Sequence, residues 1–205
     1  MKPWDEYFLG ICNQVAANSK CLSQQRGAIL VRDRIIIATG YNGPPRGFRR
    51  CPDRWRDPGD PLTNEIRKYR EPKSGFVPIP SKTCPRRVLG FKSGERLDLC
   101  PAVHAEANCI AAAARAGVNV NHTIMYMNCQ VPCKWCMGLI INAGISILVV
   151  TSLEPYDRLT LTMVRETSGS LTVRDYDWNF LPNLSTPSYP VAHPRYPTAH
   201  EGDIK

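Results

Sequence analysis

The sequence predicts an α/β protein in which helices pack on a sheet. Three observations carry that expectation. Apolar residues recur at helical spacing in WDEYFLGICNQVAAN (residues 4–18). An alanine-rich stretch, HAEANCIAAAARA (104–116), has helical composition and stops before Gly117. Short apolar runs such as GAILV (27–31) and ISILVVTS (145–152) have the length and β-branched content of buried strands.

In the first element Tyr7, Phe8, Ile11, Cys12 and Val15 share one helical face. GAILV, a turn at Arg32–Arg34 and IIIATGYNG (35–43) then read as a hairpin of two buried strands. Residues 44–100 change character: they hold Pro44-Pro45, seven further prolines and no sustained period. A segment this long inside one domain reads as a functional insertion. After the alanine-rich helix come a strand at TIMYMNC (123–129), a short helix over 134–143 stopped by Gly144, and the strand ISILVVTS. Residues 156–167 read as helix and SLTVRDYD (170–177) as a last strand. Residues 1–180 thus form one domain with the insertion inside it, and 181–205 a tail with five prolines and no core pattern.

Composition narrows the function classes. The chain has 205 residues, 43% hydrophobic and 21% charged, as in a soluble globular domain. It has no apolar run of about 18 residues that would span a bilayer. The acidic Asp5 and Glu6 sit where an export signal would be basic, so a cytoplasmic protein is expected, in the host cytoplasm if phage-encoded. Nine cysteines then point to thiols and metal ligation rather than disulfides. Of the net charge of +8, the insertion carries nearly all: residues 46–100 hold 14 Lys/Arg against 7 Asp/Glu. A nucleotide phosphate would satisfy that local excess as well as a nucleic acid would.

The strongest motif is VHAEANCI (103–110) followed by VPCKWC (131–136). Cys133 and Cys136 follow Pro132 at a strand-to-helix turn, where two thiolates can meet one metal. His104 and Glu106 open a different helix, and the N–H groups at both helix starts favour anionic side chains. His104, Cys133 and Cys136 would leave a zinc ion one open position, the catalytic arrangement. Glu106, two residues past the histidine, is left free to carry a proton. A lone C-x-x-C is often structural, and a lone H-x-E is often chance. H-x-E followed by P-C-x-x-C in this order is the signature of zinc nucleobase deaminases. Such sites add water at C4 of a cytosine or C6 of an adenine while the glutamate moves the protons.

Over residues 4–157 the chain resembles the bacterial and phage deoxycytidylate (dCMP) deaminases. The matching stretches are WDEYF…SKC (4–21), GAILV, ATGYNGPPRG (38–47), SGERLDLCPAVHAEANCI (93–110), PCKWC (132–136) and YD (156–157). The resemblance implies a cytidine deaminase-like three-layer α/β/α fold with a central five-stranded mixed sheet. It also implies hydrolysis of dCMP to dUMP and ammonia in the supply of dTMP, and a homohexamer. Activation by dCTP and inhibition by dTTP, with Mg²⁺ on the triphosphate, belong to the same family picture.

By that resemblance His104, Cys133 and Cys136 bind the catalytic zinc and Glu106 is the acid/base. Asn42 of GYNG matches the asparagine that holds the deoxyribose, Ala105 lies beside the substrate, and Tyr156 matches a tyrosine near the phosphate. Ser23 stands where some relatives have an arginine, and Arg26 where most have an apolar residue. Arg26 could supply the missing guanidinium, be a solvated surface residue, or perturb substrate binding. Cys21 and Cys51 match positions that bind a structural zinc in some phage relatives. Cys84 and Cys100 could complete such a site and clip the insertion to the core. Cys12, Cys109 and Cys129 are taken as ordinary thiols. The allosteric nucleotide would lie at Tyr41, Gly43, Arg46, Arg49 and Arg50, and Arg115 at a subunit contact or on the open surface.

Two other functions compete. A deaminase acting on a nucleic acid would use the basic insertion, but only 8% of residues are aromatic, too few for a stacking track. A catalytically dead nucleotide-binding regulator would not need Glu106. Nucleic acid and membrane are therefore not expected partners.

Overall fold

A computed structural model describes residues 3–55, 57, 59–61, 63–64, 83–92, 94–167 and 169–181. Its spine is a five-stranded sheet in the order β2-β1-β3-β5-β7, formed by β1 (Gly27–Arg32), β2 (Ile35–Tyr41), β3 (Ile124–Met127), β5 (Ile147–Val150) and β7 (Thr172–Asp175). β1 runs antiparallel to β2 and β3, whereas β3, β5 and β7 are mutually parallel. The sheet is mixed, as expected.

Alternation along the strands builds two cores, one on each face. Ala28, Leu30, Met125, Met127, Leu148 and Val150 face one cluster, together with Val173. Helices α4 (Ala105–Arg115), α5 (Lys134–Asn142) and α6 (Arg158–Glu166) close that side through Cys109, Ala113, Met137, Ile140 and Val164. Ile29, Val31, Tyr126 and Val149 face the other way, against Phe8 and Cys12 of α1 (Pro3–Ala17). β1 is buried on both faces, which explains its unbroken apolar run.

The predicted strand over 145–152 is two strands. β5 ends at Val150, and β6 (Ser152–Pro155) leaves the main sheet to pair with β4 (Gln130–Val131). The Cys129 carbonyl accepts the Thr151 N–H where the two paths diverge. A polar Thr151-Ser152 step inside the apolar run was the sequence mark of this break. The insertion is ordered in parts: α2 (Cys51–Trp55), α3 (Pro85–Val88) and a 3₁₀ turn at Leu97–Leu99. These pieces are too short to show a period. The stretch 65–82 and the tail from 182 lie outside the described residues, and Leu181, assigned to the tail, is buried and donates to the Val173 carbonyl.

Two close approaches position the site. Gly40, at the end of β2, lies so near α4 that an added Cβ would sit 2.3 Å from the Cys109 nitrogen and 2.5 Å from the Ala105 oxygen. Asp5 of α1, 2% exposed, receives Arg174 Nη2 at 2.9 Å, Trp178 Nε1 at 2.8 Å and the Tyr126 hydroxyl at 3.1 Å. That network joins the first helix to the last strand.

Candidate active site

His104 and Cys133 are N-cap residues with nearly the same backbone: φ −70°, ψ 158° before α4 and φ −68°, ψ 161° before α5. Neither side chain caps its own helix, so both are free to face a common point. Cys136, in the first turn of α5, completes the group. His104 Nδ1 lies 3.6 Å from Cys133 Sγ and 3.5 Å from Cys136 Sγ. A tetrahedral zinc with Zn–S bonds near 2.3 Å and Zn–N near 2.0–2.1 Å would hold N and S about 3.5 Å apart. The three side chains fit that ion. Among the described residues they are the one such group whose ligand atoms all lie within 4.8 Å of one another.

The two thiols divide one proton: the hydrogen bond to Cys133 pushes the Cys136 thiol up while Cys133 is pulled down. The Cys133 thiol is held below the ordinary thiol range, first by a hydrogen bond from Cys136 and, against burial, by His104. Glu106 is 5% exposed, and burial pushes its carboxyl above the usual range. A carboxyl raised in this way holds a proton more readily than an exposed one, which suits a group that must accept and return a proton. A cavity of about 380 Å³ opens beside the cluster, lined by His104, Cys133, Trp135, Cys136, Tyr156 and Leu97 among others. Glu106 and Asn42 are not among its lining residues.

Asn42 is 8% exposed and its amide is engaged at both ends. Its Oδ1 accepts the Arg26 N–H at 2.8 Å, and its Nδ2 donates to the Gln24 carbonyl at 2.9 Å. It shapes the loop before β1 whatever else it touches. Next to it, Gly43 and Val103 exchange both backbone hydrogen bonds, which sets this loop one residue from His104. Arg26 Nη1 reaches the Asn128 carbonyl at 3.3 Å and its Nη2 the Gln24 Oε1 at 3.2 Å. Ser23 is exposed, Tyr156 lines the cavity and Ala105 is fully buried at the start of α4.

Of the residues expected to bind an effector, Arg49 pairs with Asp57 and Asp60, and Arg50 with Asp53. Arg46 and Tyr41 are exposed, as is Arg115 at the end of α4. Of the four cysteines Cys21, Cys51, Cys84 and Cys100, no three bring their sulfur atoms within 4.8 Å of one another. Cys51 is pushed up to about 12, first by burial and then by Cys100, Cys21 and Cys84.

Sequence reading missed three residues that hold this arrangement. Asp157 accepts the Thr160 N–H as N-cap of α6 and also the Lys134 N–H at the start of α5. Asn108 donates to the Tyr41 carbonyl, binding α4 to the end of β2. Arg87, on the insertion, reaches back to Ser23. The YD pair at 156–157 and the asparagine inside HAEANC were visible signals for the first two.

The model of the cytidine and deoxycytidylate deaminase zinc-binding region matches residues 2–152. The chain belongs to that family. Family relatives include the deoxycytidylate deaminase of Mycobacterium phage D29, 32% identical over 151 residues, 71% of this chain and 92% of the phage protein. Deoxycytidylate deaminase of Schizosaccharomyces pombe is 30% identical over 173 residues, 84% of this chain and 44% of the yeast protein. The chain spans less than half the length of the yeast relatives it matches. Among solved structures, the dCMP deaminase of cyanophage S-TIM5 in complex with dCMP and dUMP superposes with a TM-score of 0.55 at 20% identity. That match covers 85% of this chain and 98% of the phage chain, and it supports the deaminase-family fold. Among the described residues no helix is long and apolar enough to cross a membrane.

Proposed function

We propose that this chain catalyses the hydrolysis of dCMP to dUMP and ammonia. The observation that carries this reading is the buried Glu106 next to a His104–Cys133–Cys136 cluster with the spacing of three ligands on one tetrahedral zinc. The named dCMP deaminase relatives support the substrate. A zinc ion held by these side chains supplies the Lewis acidity that makes water a nucleophile at neutral pH. Glu106 accepts a proton from that water as its oxygen bonds to C4 of the cytosine. Glu106 delivers that proton to N3, then takes the second proton from the hydroxyl now on C4 and passes it to the 4-amino group, so the C4–N bond breaks, water is consumed and ammonia leaves. Asn42, through the Gln24–Arg26 loop, shapes the place of the sugar.

Finer features belong to the same proposal. Assembly as a homohexamer and control by dCTP and dTTP with Mg²⁺ rest on the resemblance. With Arg49 and Arg50 neutralised by their own aspartates, Arg46 is the arginine of that segment without an ion pair among the described residues, and it would meet a triphosphate. A second, structural zinc on Cys21, Cys51, Cys84 and Cys100 rests on the resemblance, with the effect of Cys100, Cys21 and Cys84 on the Cys51 thiol as support. Metal analysis should give two zinc ions per chain, falling to one in Cys51→Ser.

The experiment that tests the function is ammonia release from dCMP, deoxycytidine, cytidine and a cytosine-containing oligonucleotide. Turnover of dCMP, lost in Glu106→Gln with zinc retained, is the expected result. Activity on the oligonucleotide alone would move the chain to the nucleic-acid deaminases. No release from any of them would make it a nucleotide-binding regulator.

A further inference from the structure

The loop beside the zinc cluster meets two guanidiniums that no carboxylate neutralises. Among the described residues, Arg26 bonds only to Asn128 O and Gln24 Oε1, and Arg87 only to Ser23 Oγ at 3.4 Å and Phe91 O at 3.2 Å. Elsewhere in that stretch Arg96 pairs with Asp98, Glu95 accepts the Lys92 backbone N–H, and Arg86 donates to the Lys92 carbonyl. Two guanidiniums thus meet the Ser23–Gln24 loop, Arg87 at Ser23 and Arg26 at Gln24, with no carboxylate on either among the described residues.

Their place in the fold says which part of a substrate would answer it. The Gly43–Val103 bridge and the Asn42 clamp set the Gln24–Arg26 loop beside His104. The insertion segment carrying Arg87 runs on to Gly94, where an added Cβ would lie 3.2 Å from the Tyr156 hydroxyl, and to Leu97, which lines the same cavity as His104. The segment therefore runs from Arg87 beside Ser23 to Leu97 at the cavity wall, with Ser23, Arg26 and Arg87 lying outside the lining itself. A cytosine with C4 directed at the metal ligands must have its 5′ end toward the rim.

We propose that Arg87 is a specificity-determining residue that binds the 5′-phosphate of the nucleotide, with Ser23 beside it and Arg26 as the second cation. The insertion then supplies the guanidinium that the loop before β1 lacks at Ser23. Two guanidiniums suit a phosphate monoester, which carries close to two negative charges, better than the single charge of a phosphodiester. This inference rests on the deaminase reading above and goes further than it in naming the group that separates nucleotide from nucleoside.

The test compares kcat/KM for dCMP and deoxycytidine in wild type, Arg87→Ala and Arg87→Lys. In Arg87→Ala the preference for dCMP over deoxycytidine should fall about 10- to 100-fold, mainly through KM, as expected for loss of a charge-assisted contact. Arg87→Lys should recover part of it. Calorimetric binding of dCMP and deoxycytidine in the Glu106→Gln background should show the same ratio without turnover. An unchanged ratio, or an equal loss on both substrates, would overturn the role of Arg87 and leave the deaminase reading standing. Wild-type enzyme that favours deoxycytidine over dCMP would instead overturn the dCMP reading and this inference with it.

Discussion

Asp157 accepts the Lys134 backbone N–H at 2.8 Å, so the residue that caps α6 also holds the first turn of the helix carrying Cys136. Burial raises the Asp157 carboxyl, but the Lys134 and Thr160 N–H groups outweigh it and keep the group ionised. Asp157→Ala removes an N-cap worth about 0.5–2 kcal/mol and frees the turn between the two cysteine ligands. Outer partners of metal sites change affinity about 10- to 100-fold, and we expect the lower end here because Asp157 grips backbone rather than a ligand. Chelator competition for zinc measures this; equal affinity in Asp157→Ala and wild type would show that α5 keeps its start unaided.

Asn42 offers a sharper substitution than alanine. Asn42→Asp keeps the acceptor for the Arg26 N–H but sets a second carboxylate oxygen against the Gln24 carbonyl. Leaving a buried polar group mismatched costs about 1–3 kcal/mol. We expect Asn42→Asp to be no more stable than Asn42→Ala in urea unfolding, although it is closer in shape. A near-wild-type Asn42→Asp would mean the loop is held by other contacts.

The Asp5 network makes stability pH-dependent at the acid end. Burial raises the Asp5 carboxyl, but Arg174 and Trp178, with Tyr126, more than reverse this and hold it below its ordinary 3.8. Because the folded value is the lower one, the unfolded chain binds more protons in this range. The contribution is complete above the unfolded value near pH 4 and is lost as pH falls through the folded value. Asp5→Ala leaves Arg174, 5% exposed, without its ion pair and should cost about 3–5 kcal/mol at pH 7. Its unfolding free energy should also vary less below pH 4 than that of wild type; parallel curves would rule out Asp5 as the titrating group.

Gly40→Ala tests how closely β2 must approach α4. The new methyl would meet the Cys109 and Ala105 backbone rather than a flexible side chain, so β2 or the helix must shift. Overpacking of this kind costs about 1–3 kcal/mol. Since α4 starts at the His104 ligand, the variant should also lose zinc affinity, whereas Gly10→Ala, with open space around it, should lose neither.

The layer order and the metal site were legible because each is written in short-range patterns. The unbroken apolar run of GAILV, the helical period of 4–18 and the two ligand motifs each fit within about 15 residues. What escaped depends on contacts between distant segments. The departure of β6 from the main sheet depends on its pairing with β4, more than 20 residues earlier. Arg87 is one of 14 basic residues in the insertion, and nothing local distinguishes it; its meeting with Ser23, 64 residues away, does. The arginines at 49 and 50 show the converse, since a local run of charge suggested a ligand while nearby aspartates were already pairing them.

The clamp at Asp5 also bears on how the chain is made. During synthesis α1 emerges before the rest of this domain, yet its buried carboxylate finds Arg174 and Trp178 only after 169 and 173 further residues. Until then a nascent chain that packs α1 against β1 must enclose an unpaired charge. Closure of this network is thus a late event, governed by the slow search for a contact between segments far apart in the chain. A release-arrested chain ending before Arg174 should stay protease-sensitive in α1 even with β1, β2 and β3 complete.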